Sequence, residues 1–489
     1  MDRHTGLLNY KMIAKVIGIL LHVEAFFFLI CALVSILYKG NDYIYFLYSI
    51  LINISVGFIF LLFSKNASTK ISRRDGYLVV SLTWVLFSLF GMMPYYLGGY
   101  IPNITDAFFE TISGFTTTGA TILDDLESLP YGILFWRSLT QWIGGLGIVI
   151  FTIAVLPIFT GGTLQFFSAE YTGTVHDRIH PKISSTANRL WIVYIVLTII
   201  AAVLFYLGGM DVFDSICHSL TTTSTGGYST KQNSIAYWNS SYLEYVTIIF
   251  MFLSSINFSV YFLCIKGKFS KIIHDTEIKY FLGIIAVMTA IIMFSLYFFM
   301  DYNIENAFRT SLFQIVSIQS SCGFITEDYS LWPQYTWIIF IVAMSIGGCG
   351  GSTSGGVKIY RVAAIFKSVR NEFKKLIHPV AVLPVRMNHG VVSPSVLSGI
   401  KTFIIFYLIV LLAGWFLLLC CGIEFTEAFG LSISCLGNTG PALGVYGSVN
   451  SWSSLPEVAK WLTSFLMLVG RLELFSVLLL FYPGFWSKQ

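Results

Sequence analysis

Ten stretches of this chain are each apolar over the length of a bilayer-crossing helix, and that pattern constrains the fold more than any other feature. A helix rises 1.5 Å per residue, so about 20 mostly apolar residues span the hydrocarbon. The runs cover roughly 12–38, 43–63, 77–98, 131–157, 189–208, 242–265, 279–300, 334–366, 399–421 and 457–482. They are too long and continuous for barrel strands, whose polarity alternates. The first run continues to about Tyr38, too long for a cleaved leader, and predicts a retained helix. Charged residues make up 11% of the 489. A soluble domain carries roughly 25%. The net charge of +4 without a basic stripe argues against a nucleic-acid partner.

The basic residues fix an orientation. With the N-terminus inside, the inner segments collect Arg3, Lys11 and Lys15, then Lys65, Lys70, Arg73 and Arg74, then Arg178, Lys182 and Arg189. Lys266, Lys268, Lys271 and Lys279 follow, and the segment 358–401 adds eight more. Lys39 and Lys231 fall in outer loops, beside acids such as Asp42, Asp124, Asp125 and Glu127. Ten spans with both ends inside satisfy this asymmetry. The acidic outer face would raise the local cation concentration.

Four outer connections, about 99–130, 209–241, 301–333 and 422–456, are long and half apolar. Each opens with an acid beside an aromatic: Asp106-Ala107-Phe108, Asp211-Val212-Phe213, Glu305 before Asn306-Ala307-Phe308, and Glu427-Ala428-Phe429. Each then reaches a polar stretch with a glycine. The candidate sets are Thr117, Thr118 and Gly119; Ser224, Thr225 and Gly226; Ser321, Cys322 and Gly323; Asn438, Thr439 and Gly440. The glycines lie 107, 97 and 117 residues apart, the mark of an internal repeat. Each unit reads span, short helix, polar loop, span. The predicted fold is an all-α polytopic membrane protein of four pseudo-symmetric repeats around one pore, preceded by two extra spans. Its units are 1–76, 77–187, 188–276, 277–390 and 391–489.

An acid at the start of a short helix would cap its free N–H groups and complement its dipole. Non-helical backbone at membrane depth must line a cavity or be buried in protein. Thr, Ser and Gly permit an extended strand with carbonyls turned to an axis. Four such strands would replace the hydration shell of a potassium-sized cation.

The eighth run is interrupted by Gly347, Gly348, Cys349, Gly350, Gly351, Ser352, Thr353, Ser354, Gly355 and Gly356. Ten such residues cannot hold a stable helix in lipid, so a loop bent into the pore is expected. Close helix packing is the plainer alternative. A phosphate loop ending at Lys358 lacks the Gly-Lys-Ser/Thr ending and a preceding strand. Arg471 reads as mid-span in the last helix. An arginine there is costly and points to function. It is expected to face the pore and repel cations until the gate moves, the alternative being an ion pair with an acid on another helix.

These segments, with Gln141-Trp142-Ile143-Gly144-Gly145-Leu146-Gly147, His378-Pro379, Pro384-Val385 and Gly470-Arg471-Leu472-Glu473, resemble the Trk/Ktr/HKT superfamily of potassium transporters. The two extra N-terminal spans favour its TrkH branch over the eight-span KtrB branch. The resemblance covers essentially the whole chain. It implies a gated pore for potassium in a bacterial inner membrane, one filter glycine per repeat, and a gating role for the 347–356 loop. Glycine at all four positions favours potassium over sodium. The strands T-T-G-A, S-T-G-G, S-C-G-F and N-T-G-P depart from a fourfold-identical filter, so discrimination is expected to be weaker than in a strict potassium channel. The resemblance further implies a homodimer bound to cytosolic TrkA-type subunits that carry the nucleotide sites. This chain itself has no organic cofactor site.

The remaining readings are plain. The eight Cys form no C-x-x-C pair and read as small core residues. His176 and His180 have helical metal spacing but no evident third ligand. His22 and Glu24 are expected to pair with each other or with a neighbouring helix. Arg370, Lys374 and Lys375 would meet anionic lipid or dock a cytosolic regulator. No H-E-x-x-H, paired midplane aspartates or nucleophile elbow supports an enzyme. A proton- or sodium-coupled symporter is the alternative, with Glu24, Arg471 and Glu473 as its candidate intramembrane groups.

Overall fold

A computed structural model describes residues 8–65, 67, 72–155, 183–388, 390–447 and 449–487. His176 and His180 lie outside these residues. The described chain is mostly helical, with one two-stranded hairpin pairing Arg386 with Val391 and Met387 with Gly390.

Among the described residues six helices are long and apolar enough to cross a membrane: Tyr10–Leu37, Tyr43–Phe63, Arg74–Leu97, Leu190–Leu207, Thr276–Phe299 and Pro394–Cys420. The Arg74–Leu97 stretch joins two helices, Arg73–Gly91 and Met93–Leu97, the second with Pro94 in its first turn. Their starts follow ordinary capping chemistry. Ser72 and Asp75 form a capping box, Asp275 accepts from Glu277 and Ile278 N–H, and Ser393 caps a helix with Pro394 in its first turn. The outward faces carry Leu37, Phe63, Leu207, Phe299 and Phe416, all exposed, as lipid contact requires.

The first two helices approach closely through glycine. A Cβ on Gly18 would lie 2.9 Å from the Gly57 carbonyl oxygen, and one on Gly57 3.0 Å from that of Gly18. Small residues allow such backbone contact between membrane helices. His22 donates from Nδ1 to its own helix, at the Gly18 carbonyl, 2.7 Å away. Glu24 accepts from Asn53 Nδ2 at 3.0 Å. The two therefore do not pair with each other.

Three expected spans are not continuous helices. The 242–265 run divides into Ser241–Ser254 and Ser259–Ile265, bent by 103°. The 457–482 run breaks after Glu457–Arg471 and turns by 113°. Glu473 and Leu474 make that turn at φ of 55° and 54°. The 334–366 run ends its first helix at Ile346, leaves helical geometry through the glycine-rich stretch, and resumes as Ile359–Ile377. That last helix carries Arg361, Lys367, Arg370, Lys374 and Lys375, so it is amphipathic rather than a continuation of an apolar span.

Candidate functional site

Four short helices, Ile104–Phe115, Val212–Thr223, Ile304–Gln319 and Phe425–Gly437, precede the four polar stretches. Their N-caps are Asn103, Asp211, Asn303 and Glu424. The first three cap with a side-chain oxygen and Glu424 does not. The expected acid caps thus hold only at Asp211. Asp106 lies in the first turn and binds Lys460 Nζ at 2.6 Å. Glu427 accepts from the Val445 N–H at 3.2 Å.

Beyond each helix the backbone repeats one conformation. Thr117, Thr225, Ser321 and Asn438 take φ of 53°, 53°, 56° and 52°. Two residues later Gly119, Gly227, Gly323 and Gly440 take φ of 86°, 76°, 83° and 98°. Between them, the N–H groups of Thr118, Gly226, Cys322 and Thr439 donate to the carbonyls of Ser113, Thr221, Ser317 and Ser434, each at 2.9 Å. A left-handed conformation costs an L-residue about 1–2 kcal/mol, and β-branched threonine adopts it reluctantly. Four such residues in matching places mark a conformation imposed by the surroundings.

This register corrects the second candidate set. Gly227, not Gly226, stands where Gly119, Gly323 and Gly440 stand. Gly226 matches Thr118, Cys322 and Thr439, while Ser224 is the C-cap of its helix, one step before the strand. The glycine doublet hid this shift. Gly226 is glycine for a different reason: a Cβ there would lie 2.4 Å from the Gln141 amide carbon.

The four strands meet in a cycle. A Cβ on Gly119 would lie 2.1 Å from the carbonyl oxygen of Gly226, one on Gly227 1.9 Å from that of Cys322. One on Gly323 would lie 2.3 Å from that of Thr439, and one on Gly440 2.6 Å from that of Thr118. Each glycine therefore seats the next strand's carbonyl, and the fourth returns to the first. A single cavity touches Gly119, Gly227, Gly323 and Gly440 together.

The 347–356 loop lies against the other end of these strands. Gly347, Gly351 and Gly356 sit at positive φ, so the loop needs glycine there. Its Gly355 N–H donates to Ser321 Oγ at 2.7 Å, and Thr225 Oγ1 donates to Thr353 Oγ1 at 3.2 Å. Gln319 Nε2 donates to the Gly347 carbonyl at 2.8 Å. A Cβ on Gly355 would lie 2.2 Å from the Gly437 carbonyl oxygen. The loop thus touches the second, third and fourth strands or their helix ends. On its far side Cys349 N–H donates to Ser255 at 2.9 Å, Gly350 N–H to Glu277 Oε1 at 2.6 Å, and Phe258 N–H to Gly351 at 3.2 Å. Gly348 and Ser352 complete it, Gly348 against Ser354 and Ser352 Oγ beside Ser354 Oγ at 2.9 Å. A helix, not a strand, precedes the loop, and Lys358 Nζ donates to the Ser354 carbonyl. That is no phosphate-loop arrangement.

Arg471 ends its helix at the 113° bend. Its guanidinium donates to the Thr353 carbonyl at 2.6 Å and to the Gly144 carbonyl at 2.8 Å. Gly144 packs against the first strand's helix, where a Cβ would lie 1.9 Å from the Phe115 carbonyl oxygen. The anticipated ion pair belongs instead to Glu473, which binds Arg361 of the amphipathic helix.

A buried ion pair was not anticipated. Arg137 Nε donates to Glu110 Oε1 at 2.6 Å with both side chains buried, and Arg137 Nη1 donates to the Ser229 carbonyl at 2.8 Å. Glu110 also accepts from Thr121 Oγ1 and Ile122 N–H, each at 3.0 Å. Tyr228 lies under the guanidinium, its ring centre 3.8 Å away, and its hydroxyl donates to the Glu110 carbonyl at 2.8 Å. The pair ties the first polar stretch to the second. The two residues lie 27 apart in sequence, a distance at which no local pattern signals pairing.

Comparison with known proteins finds relatives over nearly the whole chain. A family model described as "TrkH: Cation transport protein" matches residues 45–488. The Trk system potassium uptake protein TrkH of Escherichia coli strain K12 is 34% identical over 488 residues, covering 98% of this chain and all of that protein. TrkG of the same strain is 33% identical over 486 residues, covering 98% and 99%. The crystal structure of the potassium transporter TrkH from Vibrio parahaemolyticus superposes with a TM-score of 0.87 at 32% identity, over 98% of this chain and 100% of that one. The chain belongs to the TrkH family of cation transport proteins.

Proposed function

We propose that this protein takes up potassium through a gated pore formed by four pseudo-symmetric repeats, in the inner membrane of a bacterium. The observation that carries the reading is the cycle of four glycines, each seating the carbonyl of the next strand. Neutral carbonyl oxygens can replace a potassium hydration shell without trapping the ion. The relatives' names, Trk system potassium uptake proteins, support the same cargo. In this reading the bent pairs and the interrupted eighth run count as spans, giving ten with both ends inside.

The 347–356 loop is the gate, and Arg471 is its latch. A guanidinium bonded to two carbonyls beneath the ring places positive charge on the cation path and holds the loop to the ring's underside. Opening requires that latch to release. The trigger is expected from nucleotide-binding cytosolic subunits of the TrkA type docking on the inner face of a homodimer, where Arg370, Lys374 and Lys375 lie.

Coupling to protons or sodium is the second reading. It rests on Glu24, whose Oε1 is buried with no hydrogen-bond partner among the described residues. Two other acids near the site are ion-paired, Glu110 with Arg137 and Glu473 with Arg361. Purified protein in liposomes separates the readings through rubidium uptake with sodium as competitor. Uptake set by the potassium gradient and voltage alone supports the pore. Uptake that requires a proton or sodium gradient overturns it.

A further inference from the structure

We propose that Gln141 determines the cation selectivity of the ring by holding the Gly226 carbonyl, an inference that rests on the pore reading above. Gln141 lies on Tyr131–Val155, the long helix after the first strand, and is fully buried. Its Nε2 donates to the Gly226 carbonyl at 2.7 Å. Its Oε1 accepts from the Tyr228 N–H at 3.0 Å. One amide thus grips the second strand on both sides of Gly227. Gly226 has no side chain because that space belongs to the Gln141 amide.

The grip makes the ring unequal. The carbonyls of Thr118, Gly226, Cys322 and Thr439 occupy matching places, each against the glycine of the preceding strand in the cycle. Among the described residues only the Gly226 carbonyl receives a side-chain hydrogen bond. A carbonyl has two lone pairs, so Gly226 can accept from Gln141 and still face a cation. Its direction is then fixed by a bond behind the ring. A smaller cation gains only if carbonyls move inward, and a tethered carbonyl resists that movement. The tether therefore favours a potassium-sized ion over sodium. It also stiffens a filter whose other three strands differ from one another in sequence.

The test compares rubidium and sodium permeability in liposomes containing full-length protein. Gln141→Glu keeps the acceptor for Tyr228 and removes the donor to Gly226. Gln141→Met keeps the volume and removes both. The rubidium-to-sodium ratio is expected to fall roughly fivefold or more, as about one lost hydrogen bond would give, while rubidium uptake stays measurable. Gly226→Ala should produce the same loss of discrimination from the opposite partner, because its methyl group displaces the amide. That variant keeps the proposal testable if Gln141 variants fail to fold. An unchanged ratio in folded variants, or equal loss for both ions, overturns the proposal and leaves the pore reading intact. Absence of rubidium uptake by the unmodified protein overturns the pore reading itself and this proposal with it.

Discussion

The backbone carbonyl of Thr353 accepts a 2.6 Å hydrogen bond from Arg471, joining the glycine-rich loop to a helix end 118 residues further along the chain. The same guanidinium reaches the Gly144 carbonyl, so one side chain holds the loop and the Tyr131–Val155 helix together. Hydrogen bonds from a charged group contribute about 1.5–3 kcal/mol each. Replacing Arg471 by Ala is therefore expected to raise basal rubidium flux by roughly 10- to 100-fold, the size of a typical coupling energy. An unchanged leak in a folded Arg471→Ala protein would remove the latch from the mechanism.

The two glycines of the second strand should respond differently to alanine. Gly227 has φ of 76°, and a Cβ there would meet the Cys322 backbone at 1.9 Å. Backbone cannot step aside cheaply, so Gly227→Ala is expected to abolish rubidium uptake. Gly226 is not at positive φ, and its Cβ would meet only a side-chain amide. Gly226→Ala should fold and conduct with altered discrimination. The opposite ranking in uptake assays would restore the register in which Gly226 matches Gly119.

Arg137 and Glu110 make a third test. Removing one partner of a buried pair leaves an uncompensated charge and costs about 3–5 kcal/mol. Arg137→Met is expected to lower the unfolding midpoint in detergent markedly. The double variant with Glu110→Gln should recover most of that loss, because no buried charge remains. Equal destabilisation in single and double variants would show that the pair is not what holds these two stretches together.

What could be read from the chain followed from local chemistry. The four short helices and their polar stretches share one residue order, and each order folds to one conformation. The bends were hidden because their causes are not local. Glu473 and Leu474 adopt positive φ without being glycine, while Glu473 reaches Arg361 of another helix. The break after Ser254 exposes Ser255 and Phe258 backbone to the loop at Cys349 and Gly351. The Gly226–Gly227 doublet is resolved by the backbone, where Gly227 alone takes the positive φ of the other three glycines, while Gly226 is kept small by Gln141, 85 residues away. The acid-aromatic pattern points to acid caps, yet Asn103 and Asn303 stand three residues ahead of Asp106 and Asn306 and take that role.

Glu277 provides the last test, because it holds the loop from the side opposite the ring. Its Oε1 accepts the buried Gly350 N–H at 2.6 Å. Neighbouring Thr276 donates its N–H to Asn388 Oδ1 at 2.6 Å, so the same helix start is also tied to the Arg386–Val391 hairpin. Glu277→Ala leaves a buried donor unmatched, at a cost of about 1–3 kcal/mol. The loop should then rest less firmly in its seat, and basal rubidium flux should rise. Glu277→Gln retains an acceptor for Gly350 and should stay near the unmodified protein. If the alanine and glutamine variants leak equally above it, the carboxylate charge rather than the hydrogen bond holds the loop. If neither leaks, the seat of the loop lies at the ring and Arg471 alone.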